Sequence, residues 1–320
     1  MARTFEAAPG VTAIDTNMCG TAGVTSAYLL DSAEPTIVET GPTTSVDAVR
    51  EGLESLGVGA SDLAHIVVTH IHLDHAGGAG ALAKHFPKAV VWVQERGAPH
   101  LVDPSKLESS AARVYGEEQL KSMFGPIHPL PADRIRSMVD GDVIELGGDR
   151  RLDVVYTPGH ASHQVALLDS ASGGVFTGDA LGVFLSDVRI LRPATPPPEY
   201  DLDLAVASVE RIRDLKPSSL LFSHFGPAPE VDHLCELAVH RLRKWTWVVE
   251  EILAEEPGAD LDRIAELLEE RTAPEFNPRK RDPWLIERYE LLSSVRMNAM
   301  GISRYLEGRA EASAEPAPAS

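Results

Sequence analysis

Residues 69–78 read Thr69-His70-Ile71-His72-Leu73-Asp74-His75-Ala76-Gly77-Gly78. They follow directly on His65-Ile66-Val67-Val68-Thr69, a short β-branched run with the character of a buried strand. If the extended backbone continues past Thr69, its two-residue period puts His70 and His72 on one side. Ile71 and Leu73 then point the other way, into apolar packing. Asp74 and His75 come as the chain turns, and Gly77 and Gly78 give that turn room before the next helix. The stretch predicts a chelating cluster of imidazole and carboxylate, a donor set that suits zinc, iron or manganese.

Three more positions repeat this arrangement. His160 follows the strand-like LDVVY in YTPGH, Asp179 follows GGVF in VFTGD, and His224 follows SLLF in LLFSH. Each is a ligand-type residue at the C-terminal end of an apolar run with a glycine close by. Function collects where rigid strands give way to loops, so four such ends predict one convergent site. His163 stands three residues after His160 and is expected either to support a ligand or to contact substrate. His65, His85, His100, His128, His233 and His240 have no partner legible in the sequence and are read as structural or exposed. No Gly-x-Ser-x-Gly, Walker A or GxGxxG arrangement competes with the metal reading.

The surrounding pattern is α/β. Strands are expected at 27–30, 36–39, 65–69, 89–93, 140–146, 151–156, 165–169, 174–177 and 219–223. Helices are expected at 45–56, 78–86 and 202–215, with helices or a lid at 101–124 and a Pro-rich loop at 192–201. Val231, Leu234, Ala238, Leu242, Trp245, Val249 and Ile252 then keep helical spacing. The organisation expected is a catalytic unit at 1–226, a helical extension at 227–310 and a disordered tail at 311–320, with a basic linker at 274–283. The extension is read as a cap over the pocket or a homodimer surface. Trp245 and Trp247, two apart, should face different sides of their helix.

Composition excludes several classes. Hydrophobic residues are 43% and charged residues 24% of 320, as in ordinary globular proteins rather than disordered or membrane chains. A net charge of −19 repels phosphate backbones and anionic bilayers, so neither nucleic acid nor membrane is an expected partner. The N-terminus lacks the apolar core of a secretory signal, and a cytoplasmic setting is expected. Cys235 falls on the apolar face of a helix and is read as a small buried hydrophobe; Cys19, beside Gly20, sits in a strand or turn.

HIHLDH matches the His-x-His-x-Asp-His motif, and with His160, Asp179 and His224 following in order the chain resembles the metallo-β-lactamase fold superfamily over about 10–226. HLDHAGG, TPGHASH and SHFG resemble its glyoxalase II-like and lactonase-like branches. The resemblance implies a four-layer αββα sandwich with the site at one edge between two sheets. It implies two divalent metal ions, zinc foremost, with iron or manganese as alternatives. His70, His72 and His160 would hold one ion, Asp74, His75 and His224 the other, and Asp179 would bridge them. Such a pair generates a hydroxide nucleophile near neutral pH, with Asp74 the candidate for proton transfer to the leaving group. The expected substrate is a small molecule with an ester-like bond: a thioester, a lactone or a related acyl compound. Two other readings fit the motif, a mononuclear iron persulfide dioxygenase using His70, His160 and Asp179, and a non-catalytic metal-binding module. Residues 94–124 and 181–200 are expected to border the pocket, with Phe184, Tyr200 and Phe225 as candidate walls.

Overall fold

The computed structural model describes residues 3–275 and 283–314. Seven strands form the first sheet in chain order: β1 (Thr4–Ala8), β2 (Val11–Asp15), β3 (Ser26–Leu30), β4 (Thr36–Val38), β5 (His65–Val67), β6 (Val90–Gln94) and β7 (Ile135–Met138). The first four pair antiparallel through short turns, and β4 to β7 run parallel. Parallel neighbours need crossovers. These are α1 (Val46–Ser55), then α2 (Leu73–Ala76) with α3 (Ala79–His85), then α4 (Ala98–Val102), α5 (Ser105–Tyr115) and α6 (Glu117–Phe124).

The second sheet holds β8 (Val143–Glu145), β9 (Arg151–Tyr156), β10 (Val165–Asp169) and β11 (Gly174–Gly178), all antiparallel. A separate two-stranded ribbon follows, β12 (Val183–Leu185) with β13 (Ile190–Arg192). After α7 (Leu202–Asp214), β14 (Ser219–Phe222) pairs parallel with β11 and antiparallel with β15 (Gly226–Ala228). The chain ends in α8 (Val231–Glu255), α9 (Leu261–Thr272), α10 (Pro283–Leu292) and α11 (Val295–Ala314).

Alternation along the strands builds the layers. In β3, Tyr28 and Leu30 face the second sheet, where they join Leu152, Val154, Leu167 and Phe176. Ala27 and Leu29 face outward, onto Val49 and Leu53 of α1. On the outer face of the second sheet, Val175, Leu220 and Phe222 pack with Val209 of α7, Leu242 and Trp245 of α8, and Ile302 of α11. The order is therefore helix, sheet, sheet, helix, the αββα sandwich, with α8 to α11 added as a helical C-terminal extension. Trp245 is fully buried while Trp247 is exposed, as helical spacing requires. No helix among the described residues is long and apolar enough to cross a membrane.

Several elements depart from the expected pattern. The turn expected at Asp74 and His75 takes the form of a short helix over residues 73–76. The N-terminal β1–β2 pair, β7, the β12–β13 ribbon just before the expected Pro-rich segment, and β15 all went unanticipated. β7, β12, β13 and β15 are short, and β15 reads Gly-Pro-Ala. Such runs become strands through their neighbours rather than by propensity. The last helix continues to Ala314, into the stretch expected as a tail; 315–320, and residues 276–282 of the expected linker, lie outside the described residues.

Candidate metal centre

β5 ends at Val67, and the next residues still alternate. His70 is fully buried toward the site; Ile71 packs into the outer core of the first sheet and Leu73 against Met123 and Phe124 of α6. His72, at φ −60° and ψ 150°, caps the one-turn helix that carries Asp74 and His75. His160 follows β9 through Gly159, whose φ is +125°. A Cβ on Gly159 would lie 2.2 Å from the backbone nitrogen of Ala205, so only glycine lets this loop pass under α7. Asp179 directly follows β11, and His224 lies just beyond β14.

All seven predicted positions meet. His72 Nδ1 lies 3.1 Å from His70 Nε2 and 2.9 Å from His160 Nε2. Asp179 Oδ2 is 3.6 Å from His160 Nε2, and Asp179 Oδ1 is 3.5 Å from His75 Nε2 and 3.3 Å from His224 Nε2. Asp74 Oδ2 closes the second group, 3.6 Å from His75 Nε2 and 3.4 Å from His224 Nε2. Three triads have donor atoms all within 4.8 Å of one another: His70, His72, His160; His70, His75, Asp179; and Asp74, His75, His224.

The surroundings assign the tautomers. His160 Nδ1 donates to the carbonyl of Ala194 at 2.9 Å and His224 Nδ1 to that of Val24 at 3.4 Å. Thr69 Oγ1 gives its proton to Glu39 Oε1 at 2.5 Å, so at 3.0 Å it accepts from His70 Nδ1. Glu39 Oε1 also accepts from His75 Nδ1 at 3.2 Å and from Ser223 Oγ at 3.0 Å. In each imidazole the outward nitrogen carries a proton, so the Nε2 atoms of His70, His75, His160 and His224 are the ones aimed inward. The Nε2 atoms of His75 and His224 and Oδ1 of Asp179 are buried with no hydrogen-bond partner. Buried polar atoms are rarely left so, and inward imidazole nitrogens beside a carboxylate are the donor set a divalent cation takes, displacing any proton they hold.

Charge follows the same division. Burial, then the neighbouring imidazoles, hold His70 and His72 well below the usual histidine range. Burial also lowers His160, against the pull of Asp179. Burial would lower His75 too, but Asp74, Asp179 and Glu39 outweigh it and raise His75 well above that range. Burial favours the neutral acid at Asp179, yet His224, His75 and His160 keep it ionised far below the carboxylate range.

His72, Asp74, His160 and Asp179 of the cluster line a cavity of about 350 Å³. Its walls include Leu107, Ala111, Val114 and Tyr115 of α5, Phe124 of α6, Pro196 to Pro198, and Leu292 and Met297 of the C-terminal helices. Both segments expected to border the pocket contribute, but the three expected aromatic walls do not. Phe184, Tyr200 and Phe225 are core residues packed with α8 and its neighbours. His163 lines the cavity, with its ring 5.5 Å from that of His72. Its Nδ1 accepts from the Ile71 backbone at 3.4 Å, and burial pushes it down to about 4 despite Glu199, 3.8 Å from Nε2.

Three contributors escaped the sequence reading. His100, set aside as structural or exposed, lines the cavity. Tyr115 lies on its wall, in the segment expected to border the pocket but not singled out there. Glu39, expected only as the last residue of a strand, is 2% exposed and carries three donors of the site; a lone carboxylate closing an apolar run was the available signal. The sequence reading of His65 as structural agrees with its bonds to Trp92 Nε1 at 3.0 Å and Glu34 Oε2 at 2.7 Å. Glu39→Gln is expected to weaken divalent-cation binding roughly 10- to 100-fold, read by zinc titration of metal-free protein. Unchanged affinity would show that the carboxylate does not tune His75.

The model of the metallo-β-lactamase superfamily matches residues 20–224, and the chain belongs to that family. It is 33% identical over 168 residues to the metallo-β-lactamase fold-containing protein ST1585 of Sulfurisphaera tokodaii, across 51% of this chain and 61% of that relative's length. An N-acyl homoserine lactonase of Bacillus cereus is 24% identical over 195 residues, 61% of this chain and 67% of the lactonase. Among solved structures, a metallo-β-lactamase family protein from Thermus thermophilus superposes with a TM-score of 0.65 at 22% identity, covering 94% of both chains.

Proposed function

We propose that this chain is a metal-dependent hydrolase of an ester-like bond in a small acyl compound: a thioester, a lactone or a relative of these. In this reading His70, His72 and His160 hold one divalent cation, Asp74, His75 and His224 hold a second, and Asp179 lies between them. One observation carries it: the buried Nε2 atoms of His75 and His224 and Oδ1 of Asp179 converge with no protein partner. The intact second triad favours a dinuclear centre over the mononuclear iron reading. When bound, such cations lower the pKa of water toward neutrality and polarise a carbonyl oxygen, and zinc suits this donor set best.

The chain's own groups supply the rest. The Asp74 side chain is 18% exposed against 5% for Asp179. It is therefore the carboxylate of the cluster that can take the proton released by the attacking water and pass it to a leaving group in the cavity. His163, kept neutral by burial, contacts the substrate's polar end. Leu107, Val114, Phe124, Leu292 and Met297 offer an apolar berth for an acyl chain. Similarity to an N-acyl homoserine lactonase supports the lactone within this class.

Metal quantification on protein purified without added metal, then a screen of thioesters, lactones and phosphoesters, tests the reading. Two divalent ions per chain are expected, with acyl-ester turnover lost to chelator and restored by zinc. One iron per chain with oxygen consumption would overturn it.

A further inference from the structure

The C-terminal helices reach the candidate centre through one loop. Pro193, Ala194 and Thr195 run between the β12–β13 ribbon and the cis Pro197–Pro198 peptide. The carbonyl of Ala194 accepts the Nδ1 proton of His160. The residues on either side of it are tied to the α10–α11 turn and to α11. Ser293 Oγ donates to the Pro193 carbonyl at 2.5 Å. Asn298 Oδ1 accepts from both the backbone nitrogen and the hydroxyl of Thr195, each at 2.7 Å. The Asn298 amide in turn donates to Ser293 Oγ at 2.7 Å and to the Ser294 carbonyl at 3.1 Å, which orients its oxygen toward the loop. Thr195 and Asn298 are 0% and 1% exposed, so water does not substitute for these bonds. The helix also presses close: a Cβ on Gly301 would lie 1.9 Å from the Thr195 carbonyl oxygen.

We infer that Asn298 is a positioning residue for His160, acting through Thr195 and the Ala194 carbonyl. The C-terminal extension is then part of the site and not only a cap or an assembly surface. The inference rests on His160 being a metal ligand as proposed above. An imidazole ligand is aimed by whatever holds its second nitrogen. Here that acceptor is a loop carbonyl with no strand ladder behind it, so its place is set by the Ser293 and Asn298 bonds on either side.

Two readouts test this on the full chain. The first is hydrogen-exchange protection of the His160 Nδ1 proton, followed by nitrogen-edited NMR on metal-free protein. The second is zinc titration by calorimetry. Asn298→Ala is expected to speed exchange of that proton and to weaken one zinc site roughly 10- to 100-fold, leaving the other unchanged. Asn298→Asp keeps the acceptor for Thr195 but loses the donors to Ser293 and Ser294. It is expected to melt earlier than wild type yet to retain His160 protection and zinc affinity near the wild-type value. Equal protection in wild type and Asn298→Ala overturns the inference. So does loss that follows melting temperature across the two variants rather than the presence of the acceptor. A wild type that takes up no zinc while Asn298→Ala still frees the His160 proton would sink the metal reading alone.

Discussion

His72→Ala is expected to remove turnover, by roughly 1,000-fold or more, while leaving the fold intact. His72 offers Nδ1 to the space it shares with His70 and His160. It is half-buried and belongs to none of the hydrophobic clusters. Removing it opens no cavity in the core, so the melting temperature of metal-free protein should stay within about 2 °C of wild type. His70 and His160 alone make a poor cation site, and without a bound cation water is far too weak an acid to supply hydroxide near neutral pH. Zinc quantification and turnover on the substrate found in the screen read the two halves together. A variant that keeps full turnover would show that the triad is not the working centre.

Asp169→Asn should instead cost stability, about 3–5 kcal/mol, because it strands a buried charge. Arg150 Nε and Nη2 donate to the two Asp169 oxygens at 2.9 and 2.7 Å. Its Nη1 donates to the carbonyls of Gly10 and Asp31, both at 2.8 Å. One guanidinium thus joins the β1–β2 turn and the end of β3 in the first sheet to the end of β10 in the second. Asp169 is 0% exposed and Arg150 7%. The expected fall in melting temperature is on the order of 10 °C. An unchanged melting temperature would show that the pair is replaceable. Burial favours the neutral acid at Asp169, but hydrogen bonds from Arg150 and Ser172 outweigh it and lower its pKa below 3.8. A carboxylate depressed in the folded state stabilises fully above its unfolded pKa. That contribution fades as pH falls below about 3.8 through the folded value. Wild type should therefore lose stability on acidification through this range, and Asp169→Asn should lose less.

The two variants touch parts of the molecule that differ in how far they were legible in advance. The ligand-type residues were readable because their signal is local. His70, His72, Asp74 and His75 fall within six positions, and His160, Asp179 and His224 each close an apolar strand. Strand and helix periods likewise announced the two buried sheets and the apolar face of α8 from Leu234 to Ile252. Neither Arg150 nor Asp169 stood out, since a turn arginine and a strand-end aspartate are ordinary until the sheets stack.

By itself, then, the sequence determined the alternating strand and helix pattern and the identity of the converging donors in the run that begins at His70, while the αββα layering was implied by the family resemblance those donors carry. Alternation and ligand chemistry are written in adjacent residues. Only the tertiary structure decided which tautomer each imidazole adopts, which walls the cavity has, and what the C-terminal helices hold. Those depend on single hydrogen bonds between positions far apart in the chain. Ser223 meets Glu39 across 184 residues and Asn298 meets Thr195 across 103. No local pattern marks a carboxylate or an amide for such a partner; burial and close packing of the finished layers select it.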